Sequence, residues 1–186
     1  DELTKLLTKR AYQAETRRRL LLACTRRSAA SVAIMDLDNF KMMNTVLGYL
    51  DADRVVASVG RLIRESVEGN ERVAVGRFGG DEFMFTFDAD AGTAESVMRR
   101  ILNRLSDIKP CFIGKDATDK FRNLGACKAS IGIATCRFDA LGDGNYDKEV
   151  ERASEDVVTK ANEALTKAKK RKNCIEVYRE LLITAC

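Results

Sequence analysis

The stretch Arg77-Phe78-Gly79-Gly80-Asp81-Glu82-Phe83, continued by Met84-Phe85-Thr86-Phe87, constrains the fold more than any other part of this chain. Two glycines, two carboxylates and alternating aromatics read as a tight hairpin turn that opens into a strand. Glycine lacks Cβ, so the turn can take positive φ and let a bulky polyanion approach the backbone. The carboxylates at the tip supply hard oxygen ligands of the kind Mg²⁺ prefers. Taken alone, a Gly-Gly-Asp turn reads first as an ordinary β-turn.

A second acidic turn lies about forty residues upstream, in Val32-Ala33-Ile34-Met35-Asp36-Leu37-Asp38-Asn39-Phe40-Lys41. An apolar, partly β-branched run ends there in two carboxylates spaced two apart. Period-two geometry puts Val32, Ile34 and Asp36 on one face, with the acid where the strand leaves the sheet. Either Asp36 or Asp38 by itself reads first as a solvated loop start with an Asx turn. If the strand lies beside the hairpin, Asp36 and Asp81 converge, and two such carboxylates need a proton or a cation between them. The two turns together point to a divalent metal.

The chain has no histidine, which removes Ser-His and Cys-His nucleophilic catalysis and histidine general bases. Its six cysteines, at 24, 111, 127, 136, 174 and 186, form no C-x-x-C pair. They argue against a zinc site or a disulfide framework, and for a reducing, cytoplasmic compartment. A net charge of +4 tolerates anionic nucleotides without calling for a nucleic-acid polymer. No apolar run approaches the ~18 residues of a membrane span, so this segment calls for no membrane contact. At 186 residues the chain suits one domain, residues 1–186, with a full core.

Residues 1–28 read as a basic, helical lead-in. Helices are expected over Phe40 to Val46 and Leu50 to Val67, the latter burying Ala52, Val55, Val56, Val59, Leu62 and Ile63. Arg72 to Phe78 and Glu82 to Phe87 form the hairpin. A further helix buries Ala94, Val97, Met98, Ile101, Leu102 and Leu105, with Pro110 beyond its end. Ile113 to Leu124 and Arg137 to Tyr146 read as loops around a strand over Cys127 to Cys136. A last helix through Val157, Ala161, Leu165 and Ala168 precedes a final strand over Cys174 to Tyr178. Helices flanking a largely antiparallel sheet make an α+β domain.

The hairpin, intact as Gly79 to Phe83, resembles the one that names the GGDEF domain of diguanylate cyclases. Asp1-Glu2-Leu3-Thr4 resembles that family's opening Asp-x-Leu-Thr, and Asp36 through Asn44 its Asp-x-Asp-x-Phe-Lys-x-x-Asn. Ser130-Ile131-Gly132-Ile133-Ala134 is similar to its Ser-x-Gly-Ile-Ala strand, and Ala161 through Lys169 to its last helix. These blocks occur in order with compatible spacing. The resemblance implies a palm-like, ferredoxin-related core with a mostly antiparallel sheet of about five strands. It also implies a domain excised from a longer chain, which could be membrane-bound elsewhere.

Residue by residue, the resemblance implies that Asp36 and Asp81, with the Leu37 carbonyl, hold Mg²⁺ (or Mn²⁺). Asp81 and Glu82 are then the catalytic acids. Asn44 and Asp53 would read guanine, whose N1–H and N2–H edge an Asp accepts from. Asn39, Phe40, Lys41, Lys169 and Lys172 would line the phosphates. The family's Gly-Arg-Asn after the last helix has no clean counterpart, and Lys172 stands in for the arginine without its bidentate fork. Thr45, Tyr49, Ala52 and Asn162 replace Asp, His, Gly and Asp. The family's inhibitory Arg-x-x-Asp aligns with Asn70-Glu71-Arg72-Val73 and is absent.

The implied activity is condensation of two GTP into cyclic di-GMP with release of two pyrophosphates. Each domain would hold one GTP, so catalysis would need a facing homodimer, coupled to an unidentified sensory or dimerising domain. Two alternatives stay open: a degenerate GTP-binding or regulatory domain, and a cyclase with altered base choice through Tyr49 and Ala52.

Overall fold

The computed structural model describes residues 1–108, 126–139, 146–178 and 180–183. The expected 113–124 loop, most of the 137–146 loop, Pro110, Cys111 and Cys186 lie outside those residues.

The chain runs β1 (Leu7–Thr8), α1 (Lys9–Thr25), β2 (Ala29–Leu37), α2 (Phe40–Leu47), α3 (Tyr49–Val67), β3 (Val73–Gly79) and β4 (Glu82–Phe87). It continues through α4 (Ala91–Leu105), β5 (Ala129–Phe138), α5 (Tyr146–Arg171), β6 (Ile175–Val177) and β7 (Leu181–Ile183). The central order β3-β4-β2-β5 is antiparallel throughout, the β-α-β-β-α-β pattern of a ferredoxin-like palm. Short parallel pieces extend it: β1 on β3, and β6 and β7 on β5. The α+β class and palm-like core thus stand, while the sheet is seven-stranded rather than about five.

Alternation along the strands sorts the core into two layers. Ala33, Met35 and Leu37 of β2 pack with Phe83, Phe85 and Phe87 of β4 against α3 and α4. Ala30, Val32 and Ile34, with Met84 and Cys136, face α1 and α5. Asp36 follows Val32 and Ile34 in the period-two pattern and so belongs to the α5 face.

That helix sits unusually close to the sheet because β5 carries Gly132 beneath it. A Cβ at Gly132 would lie 2.2 Å from both the Ala161 carbonyl oxygen and the Leu165 nitrogen. Gly132 pairs with Ile34 and Ser130 with Asp36 across β2. Two residues of strand cover about 6.7 Å, nearly the 6 Å of four helical residues. Leu165 over Gly132 therefore brings Lys169 over Asp36.

The lead-in differs from a continuous helix over residues 1–28. Asp1 accepts hydrogen bonds from the Thr4 N–H (2.8 Å) and hydroxyl (2.7 Å), bending residues 1–4 into a turn. Thr4 is buried against Gly60, where a Cβ would come within 2.6 Å of it, so this turn is seated on α3. Leu7–Thr8 then joins the sheet, and Thr8 caps α1 by accepting from the Ala11 N–H. α1 is pinned by a buried hydroxyl chain, Tyr12–Thr86–Thr16 at 2.7 and 2.8 Å, and by Arg19, which donates to Asp88 (2.7 Å) and the Glu71 carbonyl (2.9 Å).

At the other end, the expected strand over Cys174 to Tyr178 is confined to Ile175–Val177, and β7 was not expected. Both lie in line on the open edge of β5, at Ile131–Ile133 and then Cys136–Phe138. A three-residue strand carries too short a pattern to separate from loop. Among the described residues Cys24, Cys127, Cys136 and Cys174 are free thiols. Burial pushes the Cys127 and Cys136 thiols up to about 12, which makes them inert packing groups.

Candidate active site

The C-terminal end of β2 and the β3–β4 turn meet as register requires. Asp36 stands opposite Glu82 across the β2–β4 ladder, and the Leu37 N–H donates to the Asp81 carbonyl at 3.3 Å. Directly opposed antiparallel residues project to one face, so Asp36 and Glu82 share the α5 side. Asp81 lies just outside the strand. Its carboxyl is pushed above the usual range, first by burial and next by the negative charge of Asp36, with Glu82 adding to it. Lys169 works in the opposite direction.

Lys169 answers that crowding directly: its Nζ donates to Asp36 Oδ2 at 2.7 Å. Asp38 does different work. It accepts from the Ser130 hydroxyl (2.7 Å) and the Asn173 N–H (2.8 Å), tying β2 to β5 and to the chain leaving α5. Lys172 Nζ donates to Asn39 Oδ1 at 2.6 Å. Lys172 and Asn173 both adopt left-handed backbone, φ 60° and 47°, where a helix end favours glycine. The departure from the family's Gly-Arg-Asn is accommodated by these two residues in strained backbone.

The turn itself is shaped by Gly80 at φ 47° and a register shift between Arg77 and Gly79. Arg77 clamps it, donating through Nε (3.2 Å) and Nη2 (2.8 Å) to the Gly80 carbonyl, with Nη1 3.4 Å from both Asp1 oxygens. Burial pulls its guanidinium down, and the charges of Asp53 and Asp81 oppose that. Arg77 thus ties the N-terminal turn at Asp1 to the hairpin. The sequence reading missed this role; the one cation preceding a Gly-Gly-Asp-Glu turn was the signal available. Asp38 as a brace was missed too, because its partners lie 92 and 135 residues away.

α2 begins beside this cluster. Asn39 takes left-handed φ 61° and makes no side-chain cap bond, so the first N–H groups of α2 have no side-chain partner from the cap. Phe40 is buried in the core and offers only its backbone there. Lys41 is exposed on the first turn. Asn44 is half-buried one turn later, and its carbonyl accepts the Gly48 N–H at 3.0 Å. Gly48, at φ 79°, is the whole connection to α3. Ala52 is fully buried and Asp53 exposed. The structure therefore brings Asp36, Asp81, Glu82 and Lys169 together, with Lys172 and Asn39 paired alongside. Asn44 and Asp53 flank the α2–α3 elbow.

Among the described residues no three His, Cys, Asp or Glu side chains form a ready-made metal cage. The oxygens on offer to a divalent ion are the Asp36 and Asp81 carboxylates and the Leu37 carbonyl. They fit a hard cation in chemistry and in charge, since the ionised Asp81 is disfavoured first by burial and next by the Asp36 anion. Among the described residues no helix is long and apolar enough to cross a membrane.

Residues 1–174 match the family described as "Diguanylate cyclase, GGDEF domain". The chain is 27% identical over 184 residues to the diguanylate cyclase DosC of Escherichia coli K12, covering 98% of itself and 35% of that protein. It thus spans about a third of that relative's length. Among solved structures it superposes on the coiled coil and GGDEF domain of DgcB from Caulobacter crescentus, in complex with c-di-GMP, with a TM-score of 0.74 at 21% identity. That match covers 96% of this chain and 84% of that one. Diguanylate cyclase SiaD of Pseudomonas aeruginosa, in complex with its activator SiaC, gives 0.76 at 22% identity, over 96% of this chain and 61% of that one.

Proposed function

The chain belongs to the GGDEF domain family, and from that premise we propose that it is a Mg²⁺-dependent diguanylate cyclase. Two GTP molecules become cyclic di-GMP: each 3′-hydroxyl oxygen attacks the α-phosphorus of the other nucleotide, and two pyrophosphates leave. The convergence of Asp36 and Asp81 at the end of β2 carries this reading.

Asp36, Asp81 and the Leu37 carbonyl would hold the Mg²⁺ (or Mn²⁺), which when bound neutralises phosphate charge and acidifies the attacking hydroxyl. Glu82 shares the face of Asp36 and is the acid closest at hand to take the hydroxyl proton. Lys169 and Lys172 supply positive charge to the triphosphate, with Lys169 leaving Asp36 to do so. Lys41 and the α2 N–H groups of Asn39-Phe40-Lys41 serve the same polyanion. Asp53 and Asn44 address the hydrogen-bonding edge of guanine. Each domain contributes one nucleotide, so the reactive species is a pair of facing copies.

The single-residue replacements leave Asp36, Asp81, Glu82 and Lys169 alone. Thr45, Tyr49 and Asn162 are exposed, and Thr45 merely bonds back to the Lys41 carbonyl at 2.9 Å. That favours turnover over a degenerate domain. Incubation with GTP, and separately with ATP, in Mg²⁺ should give cyclic di-GMP from GTP alone, with specific activity falling on dilution. Product from ATP would establish altered base choice. Binding of GTP with no product would establish a degenerate domain. Specific activity unchanged across a hundredfold dilution of a monomeric protein would overturn the facing pair.

A further inference from the structure

Tyr49 and Leu50 open α3 at 81% and 72% exposure, the highest among the large hydrophobic side chains described. Met42, on the first turn of α2, is 46% exposed. The Tyr49 side chain takes part in neither of the aromatic pairs among the described residues, nor in any side-chain hydrogen bond found there. It contrasts with Tyr12, which is fully buried with its hydroxyl bonded to Thr86.

The position of this ring is informative. Tyr49 and Asp53 are four residues apart on α3, so they occupy one face, and helical side chains lean toward the N-terminus. That direction carries the ring away from Asp53 toward the elbow, where Gly48 donates to the Asn44 carbonyl. The ring thus stands at the elbow joining the two residues assigned to the base edge. A tyrosine offers a large flat face at the entropy of only two χ angles.

We propose that Tyr49 is the stacking platform for the nucleotide base, covering the purine face while Asn44 and Asp53 bind its edge. This rests on the reading of that pocket as a GTP site. Every base has a π-face, so stacking supplies affinity with little base choice, whereas edge contacts supply the choice. The two contributions separate in a binding experiment.

Affinities for the non-cleavable α,β-methylene analogues of GTP and ATP, measured calorimetrically in Mg²⁺ on the full chain, make the test. Tyr49→Ala should weaken the GTP analogue about tenfold and the ATP analogue in the same proportion, leaving their ratio unchanged. Tyr49→Phe should bind like the parent, and the analogue should quench parent tyrosine emission more than that of Tyr49→Phe or Tyr49→Ala. Asp53→Ala should instead bring the two affinities together. The inference is overturned if Tyr49→Ala binds the GTP analogue as the parent does, or if Tyr49→Phe is as weak as Tyr49→Ala. It is equally overturned if Tyr49→Ala changes only self-association. A parent that binds neither analogue removes the GTP-site reading itself, which is a distinct result.

Discussion

Around Asp36 the polypeptide is held from every side, whereas around Asn44 and Asp53 it is held from one. β2 lies between β4 and β5, α5 presses onto Gly132, and Asp38 braces β5 and the exit from α5. The α2–α3 elbow hangs on one glycine and displays Met42, Tyr49 and Leu50 to solvent. Of the single-residue replacements, Thr45, Tyr49 and Ala52 fall at the elbow and none falls on Asp36, Asp81, Glu82 or Lys169, while the missing Gly-Arg-Asn falls at the exit from α5, beside Asn39. On the proposed reading, the domain would keep its chemistry at the end of the sheet and its choice of base at the exposed elbow. The two would then vary independently.

The strongest way to break the comparison is at Gly132. A methyl there meets backbone atoms of α5, which cannot step aside as a side-chain tip could. Gly132→Ala should cost more than about 3 kcal/mol of stability in denaturant unfolding. It should also separate Lys169 from Asp36 and so remove activity. A variant as stable as the parent would show that α5 is not held there.

A smaller effect is expected at Lys169. The ion pair with Asp36 is half-exposed, so Lys169→Met should change stability by less than about 1 kcal/mol. Turnover should nevertheless fall at least tenfold, about 1.4 kcal/mol of transition-state stabilisation. Equal activity of the two proteins at saturating GTP would remove Lys169 from the phosphate site.

Asp81 gives a pH-dependent test. Burial and Asp36 raise its folded-state pKa, so its ionised form opposes folding. The cost is fully present above the raised value, shrinks as pH falls through it, and vanishes below the ordinary carboxylate range. Asp81→Asn should therefore melt above the parent at neutral pH in metal-free buffer, and the gain should disappear in acid. A gain that persists in acid would assign the effect to turn conformation instead.

No effect at all is expected from product at the usual inhibitory position. Asn70 spends its side-chain oxygen on the Arg72 N–H at 3.2 Å, and Val73 offers no acceptor. Micromolar cyclic di-GMP should leave initial rates unchanged, and strong non-competitive inhibition would reveal a replacement surface.

How much of this was readable beforehand follows the same division. β2, the hairpin and the long helices were legible because their apolar periods run for six residues or more. The convergence of Asp36 and Asp81 needed only the inference that β2 neighbours the hairpin. The turn at residues 1–4 was hidden because Asp1–Thr4 bonds and the Thr4–Gly60 contact leave no periodic trace. Arg77 and Asp38 were legible as residue types but not as braces, since their partners are distant in sequence. The pairing of Lys172 with Asn39 depends on two left-handed residues, a conformation that lysine does not announce.

The most direct measurement is the GTP saturation curve of cyclic di-GMP formation for Asp81→Ala and Asp53→Ala beside the parent. Asp81→Ala should form no product at any GTP concentration, while still unfolding cooperatively. Asp53→Ala should reach a plateau of the parent's order with its midpoint moved about tenfold higher, the loss of a charged hydrogen bond to the base. The account is contradicted if Asp81→Ala approaches the parent's plateau, or if Asp53→Ala loses its plateau with the midpoint unmoved.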